Sequence, residues 1–357
     1  MKSKAIRLER RGVEHGAFVA PDVRARTQWD DLTFIAECQR LWDEDRPIVL
    51  LDALGDAPRR FAAPNRASLA LFERLRAGAS FQDELWERVG PTKELRPAGA
   101  SIDAGDTREI EKVFADGLSQ RRAVARDLYA KLSWIAHDER DRSLRVRFSF
   151  GSEALLDWQE ETRRAPWAER FAEAVFPECR AITDNGALLA LIEQLIGTRP
   201  RLSERIVYNN APGGGALFHH DDEEHQLGVV FSQLAGETAW FALPKHELAE
   251  SVAAFARGAL KKRAGTPRKA LRALDDTTDE ALSKLLNATP RFTRHLVERG
   301  TFFHLRAGDS ILLPSHGPDA VCWHAVYGLG RRASLAHSYG IFAARRGAAN
   351  VKRRPAR

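Results

Sequence analysis

The sequence has few cysteines and no long apolar run. Cys38, Cys179 and Cys322 are widely separated and form no CxxC pair, which argues against a disulfide framework and fits a reducing compartment. No stretch reaches the roughly 18 consecutive apolar residues that a membrane-spanning helix needs. The basic start, "MKSKAIRLERRGVEHG", also lacks the apolar segment of a secretory signal. We therefore expect a cytoplasmic protein with no membrane partner.

The composition is that of a globular protein with a modest positive charge. The chain has 357 residues, of which 44% are hydrophobic and 29% are charged, so it can bury a sizeable core. Much of the net charge of +6 lies in "LKKRAGTPRKALR", residues 260–272, and in "ARRGAANVKRRPAR", residues 344–357. Because such runs are usually solvated, we expect a flexible basic tail and no nucleic-acid partner.

Residues 1–143 are predicted to be mainly helical and to support a barrel. "DDLTFIAECQRLWDED" places apolar residues at helical spacing, with Asp30 or Asp31 as the N-cap. "RRAVARDLYAKLSWIAHDE", residues 121–139, is interpreted as a further helix. "RPIVLLDAL", residues 46–54, predicts a short strand after a proline.

Residues 144–343 are predicted to form the barrel itself. "LRVRFSFGS" predicts a strand, two helices follow around residues 166–175 and 186–195, and "RIVYNNAPGGG" predicts a strand that ends in a turn. The short strands that come next, rich in Val, Phe, Trp and Ile, are typical of an antiparallel barrel or jelly roll. A helical insertion over residues 245–299 interrupts them. We expect this insertion at the rim, as a lid, a substrate-binding flap or an oligomer contact.

Two overlapping His-x-Asp triplets in "FHHDDEEH" are candidate metal ligands. One is His219-x-Asp221 and the other is His220-x-Asp222; on a strand, either pair would point to one face. His324 in "VCWHAVYGLG", on a later predicted strand, is the best third ligand. Two imidazoles and one carboxylate leave coordination positions open, an arrangement that suits non-haem Fe(II). The residues alone leave the register of the triplet open.

A candidate carboxylate-binding pair follows eight residues after His324. In "RRASLAHSYGIF", Arg332 and Ser334 have the i, i+2 spacing that would place both on one strand face. A guanidinium with a neighbouring hydroxyl is suited to a small carboxylate. The small residues Ala336 and Ser338 would continue this face and leave space for a ligand.

These motifs together resemble the Fe(II)/2-oxoglutarate-dependent oxygenases, and more narrowly their cupin-like and Jumonji-C-like branch. The resemblance covers residues 205–342 and rests on the His-x-Asp triplet, the distant His324 and the R-x-S motif. It also includes a Q-x-x-G-x-x-x-W segment that begins at Gln233, and the strand "GDSILLP" ahead of Trp323-His324.

The resemblance implies an α+β protein with a double-stranded β-helix that binds Fe(II), 2-oxoglutarate and O2. Such an enzyme releases succinate and CO2 and hydroxylates a C–H bond. In this chain, the resemblance implies that His324 is the distal metal ligand. It also implies that Arg332 and Ser334 bind the far carboxylate of 2-oxoglutarate. It also favours His219 and Asp221, because an aromatic residue such as Phe218 often precedes the first ligand. Tyr208 and Asn210 are expected to assist 2-oxoglutarate or substrate.

The chain departs from this branch in three places. Thr238 stands where the Jumonji-type lysine would bind a carboxylate, and both residues 222–232 and "SHGPDAVC" are longer than usual. The substrate is expected to be an amino acid, a peptide or protein side chain, or a small natural-product intermediate. We expect either a monomer or a homodimer that forms through the insertion or the N-terminal helices.

Two other functions remain open from the sequence. One is a cupin-type metalloenzyme that does not use 2-oxoglutarate. The other is a non-catalytic barrel that binds an anionic partner through residues 261–272 and the basic tail.

Overall fold

The computed structural model describes residues 5–20, 27, 29–90, 92–103, 105–136, 138–151, 161–221, 223–276 and 278–344. Asp222, one of the alternative metal ligands, and all but the first residue of the basic tail lie outside these ranges.

The first half of the chain combines helices with strands. It contains β1 (Ile6–Arg10), β2 (Val13–Phe18), α1 (Leu32–Asp43), β3 (Ile48–Leu50), α2 (Ala57–Arg60), α3 (Ala62–Arg76), α4 (Phe81–Val89), β4 (Leu95–Ser101), β5 (Glu109–Ser119), β6 (Arg122–Trp134), β7 (Leu144–Phe150), α5 (Glu161–Val175), a 3-10 turn (Pro177–Cys179), α6 (Arg180–Thr183) and α7 (Gly186–Ile196).

The second half has strands on both sides of a helical block. It contains β8 (Pro200–Asn209), β9 (Gly228–Ala235), β10 (Glu237–Pro244), α8 (Lys245–Phe255), α9 (Gly258–Ala264), α10 (Pro267–Leu274), α11 (Glu280–Ala288), α12 (Pro290–Glu298), β11 (Phe302–Arg306), β12 (Ser310–Pro314), β13 (Cys322–Gly328) and β14 (Leu335–Ala343).

The strands form one large sheet, one small sheet and a hairpin, all with antiparallel pairs. The large sheet has nine strands in the order β3-β12-β9-β14-β8-β7-β6-β5-β4, the small sheet has the order β11-β10-β13, and β1 pairs with β2. Side chains of the two sheets interdigitate, so that Val229 and Phe231 of β9 share a buried cluster with Trp240 of β10 and Val326 of β13. Two facing antiparallel sheets with this core are a sandwich of the jelly-roll kind.

The nine-stranded sheet continues across the domain boundary expected near residue 143. On one side β3 pairs with β12, and on the other β4, β5 and β6 extend the sheet beyond β7. The N-terminal region is therefore less helical than its sequence suggests.

The helix predicted over residues 121–139 is wrong, because most of this stretch, Arg122–Trp134, forms β6. Leucine, alanine and arginine favour helices in isolation, but β6 pairs with β5 along one side and with β7 along the other. Pairing on both sides outweighs a propensity of a few tenths of a kcal/mol per residue. The N-cap prediction for α1 is confirmed, since the Asp31 carboxylate accepts the backbone N–H of Thr33 at 2.8 Å.

The helices expected over the insertion are present as α8 to α12, and they pack on the small sheet. Its apolar side chains, including Leu248 and Phe292, pack in one cluster with Phe241 of β10 and with Trp323 and Tyr327 of β13. These strand residues point away from the sandwich core. The insertion therefore covers the outer face of the small sheet, which would otherwise expose a row of large apolar side chains. Among the described residues, no helix combines the length and apolar character that a membrane span requires.

Candidate metal centre

A glycine turn brings the His-x-Asp segment against β13. Gly215 has φ +114°, and a Cβ there would lie 2.4 Å from the Val326 carbonyl oxygen. A Cβ at Gly214 would lie 2.1 Å from Asp141 Oδ1. Only glycine fits at both positions. The turn interpretation of "PGGGA" is therefore supported by the structure, and the close approach allows the next residues to bond with β13.

Backbone hydrogen bonds hold the first and last candidate ligands opposite each other. The His219 N–H donates to the His324 carbonyl at 3.0 Å, and the His324 N–H donates to the His219 carbonyl at 2.9 Å. Two residues that exchange both bonds in an antiparallel pair point to the same face. The imidazole centroids accordingly lie 4.2 Å apart.

Asp221 completes a group of three donors. Its carboxylate oxygens lie 3.9 Å from His219 Nε2 and 3.6 Å from His324 Nε2. One donor atom from each of the three residues lies within 4.8 Å of the others. Such spacing places all three around one point, at which a single cation would be bound from one side.

Both imidazoles are arranged to present Nε2 to a metal. His219 Nδ1 lies 2.7 Å from the Leu217 carbonyl oxygen, so Nδ1 carries the proton and the lone pair is on Nε2. His324 Nδ1 faces the Cys322 carbonyl oxygen at 3.5 Å. Burial and then the neighbouring His219 lower the pKa of His324 to about 3. His324 is therefore neutral at physiological pH, which is the form that binds metals.

Asp221 is ionised in this setting. Burial acts to raise the pKa of its carboxyl, but His324, His219 and His220 together outweigh burial and hold the pKa below its ordinary value. The side chain is still 34% exposed, so solvent reaches the carboxylate. A charged oxygen ligand beside two imidazoles matches the donor set of divalent transition-metal sites.

A cavity between the two sheets opens onto these three residues. Trp240 forms one wall, with its ring stacked on the His324 ring at a centroid distance of 5.6 Å. The other lining residues are Tyr208, Asn210, Ala216, Val229, Phe231, Leu313, Val326 and Ser338. The lining is mostly apolar with a few polar groups, as is usual for a small-molecule site.

Tyr208 and Asn210 supply hydrogen-bond donors to this cavity. Burial, and next the charge of Asp221, raise the pKa of Tyr208 to about 12, so its phenol stays protonated. Asn210 is buried, and its side-chain Nδ2 has no hydrogen-bond partner among the described residues. A buried amide nitrogen without a partner is costly unless a ligand or water accepts from it.

The two registers of the His-x-Asp motif place their histidines differently. The His219 ring faces His324, whereas the His220 ring lies over Trp323 with a centroid distance of 5.0 Å. Trp323 points toward the helical insertion. Of the two histidines, only His219 is therefore directed to His324. Asp222 lies outside the described residues.

Arg332 and Ser334 do not line the cavity. Arg332 is exposed in the turn before β14, and Ser334, which is buried, precedes the first residue of that strand. The same-face rule for i, i+2 residues holds only within a strand, and β14 also has a register irregularity between Leu335 and Ala336. We also expected small residues of this strand to leave space for a ligand. Ser338, one of them, lines the cavity.

The sequence patterns did not lead us to two features of the site. One is the stacking of Trp240 on His324, although Trp240 belonged to a recognised motif. The other is Arg145, which pairs across strands with Tyr208. The alternation of arginine with apolar residues in "LRVRF" was the signal for a polar strand face.

Three histidines away from the metal centre lie close to acidic side chains. His304 lies 2.8 Å from Glu237, His316 lies 2.7 Å from Asp45, and His337 lies 3.7 Å from Glu178. His225 is exposed. None of these four histidines lines the cavity beside His219, Asp221 and His324.

No family model and no curated protein matches the sequence. Among solved structures, the chain is similar to an Escherichia coli ribosomal oxygenase, YcfD, with a TM-score of 0.33 and 14% identity. A second YcfD structure, in complex with cobalt and succinic acid, gives a TM-score of 0.31 and 15% identity. Each match covers 88% of this chain and 52% of the other, so the chain spans about half the length of those proteins. At these scores, the likeness does not establish the family.

Proposed function

We propose that the chain is an Fe(II)- and 2-oxoglutarate-dependent oxygenase that hydroxylates a C–H bond. The observation that carries this proposal is the convergence of His219, Asp221 and His324 at the mouth of a cavity between two antiparallel sheets. On this proposal, the two sheets are the halves of a double-stranded β-helix of the cupin-like and Jumonji-C-like kind. The cytoplasmic location, the homodimer and the substrate classes given above are parts of the same proposal.

The donor set fits Fe(II). Two imidazoles and one carboxylate, all on one side, are the facial arrangement found in non-haem iron oxygenases. The Leu217 carbonyl fixes the tautomer and the ring orientation of His219, so that Nε2 can bind a metal. When bound, Fe(II) would supply the site at which O2 and the 2-oxo acid react to give the oxidant.

The chain's own groups bind, orient and exclude water. Trp240 covers the His324 ring and shields one side of the donor set from solvent. The Tyr208 hydroxyl and the Asn210 amide are placed to donate hydrogen bonds to the oxygens of a bound ligand. Phe231 and Leu313 give the cavity apolar walls, which strengthen polar contacts inside it.

An anaerobic titration tests this function. Fe(II) and 2-oxoglutarate together should give a weak visible metal-to-ligand band, and admission of O2 should release succinate. His324→Ala should lose both, because one of the three ligands is removed. His304→Ala is a matched control, since that imidazole pairs with Glu237 and does not line the cavity. If His324→Ala keeps the band and succinate formation, the proposed site is wrong.

A metalloenzyme that does not use 2-oxoglutarate is the second candidate. It is favoured by the exposed position of Arg332 and by Thr238, since neither brings a cation to the cavity. Metal binding that is lost in His324→Ala, with no band or succinate from 2-oxoglutarate in the wild type, would select this candidate.

A further inference from the structure

A 2-oxoglutarate enzyme needs a cation for the far carboxylate of its co-substrate, and the positions expected to supply one do not. Thr238 is fully buried, and its hydroxyl donates to Gln233 Oε1 at 2.8 Å and accepts from Trp240 Nε1 at 3.0 Å. The Thr238 hydroxyl is therefore used in hydrogen bonds within the β9–β10 hairpin. Arg332 is exposed in a turn outside the cavity.

Arg145 on β7 is a cation beside the cavity. It lies directly across from Tyr208 in the pairing of β7 with β8, so both side chains are on the same face of the large sheet. Its guanidinium lies close enough to lower the pKa of the Tyr208 phenol and that of the Asp221 carboxyl, although burial has a larger and opposite effect on each. Its Nε also donates to Ser133 Oγ at 3.1 Å, which fixes the direction of the side chain.

The charge of Arg145 is not compensated in the way that its neighbour's is. Arg147, two residues along the same face, forms ion pairs with Glu204 and Glu223. Arg145 is half-buried, and no carboxylate lies within ion-pair distance of it in the part of the chain that the structure describes. A partly desolvated guanidinium that has no ion pair among the described residues gains most from an incoming anion.

We propose that Arg145 binds the far carboxylate of the 2-oxo acid co-substrate, with Tyr208 as its cross-strand neighbour. This inference rests on the proposed function. The guanidinium presents a planar fork of N–H donors, which matches a carboxylate with two hydrogen bonds. Tyr208 places Arg145 next to the cavity. The Tyr208 side chain lies beside Arg145 and also lines the cavity that Asp221 and His324 border.

The test compares two 2-oxo acids that differ only at the far end. 2-Oxoglutarate has a carboxylate there, and 2-oxopentanoate has a methyl group. Both are titrated anaerobically into the Fe(II)-loaded chain, and the dissociation constants are read from the visible band. Arg145→Gln should weaken 2-oxoglutarate by about 10- to 100-fold and leave 2-oxopentanoate within about twofold, because only the charged contact is removed.

Two further variants complete the test. Arg145→Lys keeps the charge but not the fork, so it should fall between the wild type and Arg145→Gln. Arg332→Gln should bind both acids as the wild type does. Equal weakening of the two acids in Arg145→Gln, or no change in either, would overturn the assignment of Arg145. If the wild type gives no band with either acid, the proposed function itself is wrong and the role of Arg145 falls with it.

Discussion

Two pairs of a histidine and a carboxylate lie on opposite sides of the large sheet, and only one of them is built to bind a metal. His324 and Asp221 lie on the side of the sandwich cavity at 3.6 Å, where His219 adds a third donor. His337 and Glu178 lie behind β14 at 3.7 Å, with 2% and 0% of their side chains exposed. Their separations are nearly equal.

The difference between the pairs is in access and in the number of converging donors. Asp221 keeps a third of its surface exposed, whereas Glu178 is enclosed. No third ligand joins His337 and Glu178 among the described residues. Glu178 instead has Ser68 and Arg88 nearby, and the Phe176 ring stands edge-on to His337. A buried histidine and acid therefore make a structural pair unless other donors and an opening are present.

Removing Glu178 should give the largest change in stability. Glu178→Ala removes the buried acid that faces His337 and the half-buried Arg88, and removing one partner of a buried charged pair costs about 3 kcal/mol. Denaturant unfolding of the metal-free chain measures the change in the free energy of unfolding. Metal binding should be retained in this variant, because Glu178 does not touch the cavity. A loss of metal binding in a chain that remains folded would remove the distinction between the two pairs.

Asn287 should have a smaller effect on stability and a specific effect on the metal centre. This residue of α11 accepts the backbone N–H of Phe218 at 2.9 Å and the Arg10 guanidinium at 3.3 Å. Asn287→Ala would leave the buried Phe218 N–H unpaired, at a cost of about 1–3 kcal/mol. Because His219 follows Phe218, metal affinity should fall by about tenfold.

The control for this prediction is Asn287→Asp, which keeps the acceptor oxygen. Isothermal titration with Co(II) compares the two variants, and Asn287→Asp should bind the metal more tightly than Asn287→Ala. Equal affinities in the wild type and Asn287→Ala would show that the insertion does not position His219.

The smallest expected effect is on the pH dependence of stability. It concerns the buried pair of His337 and Glu178. Burial acts to raise the pKa of Glu178, but the neighbouring His337 and Ser68 outweigh burial and hold the pKa below the ordinary 4.5. A carboxyl with a lowered folded-state pKa contributes stability above the unfolded-state value and loses it as pH falls through the folded-state value. The stability difference between wild type and Glu178→Gln should therefore shrink below about pH 4.5. A difference that grows on acidification would contradict this sign.

Much of the fold was predictable where local patterns and tertiary pairing agree. The strands β8 to β14 and the helices α8 to α12 follow from short apolar runs, turn residues and helical spacing. The N-terminal region was less predictable, because β6 has the composition of a helix and is a strand only through its two neighbours. Pairing partners that are distant in sequence leave no local signature.

By itself, the sequence determined which residue types stand near the site: a His-x-Asp pair, a later histidine on a strand, and a phenol and an amide ahead of them. The tertiary structure decided which of them meet. It turns His219 toward His324 and His220 toward Trp323, leaves Arg332 in an exposed turn, and brings Arg145 across from Tyr208. The physical reason is that side-chain direction alternates only within a strand. Where a strand begins, and which strand pairs with it, depends on residues far away in the chain.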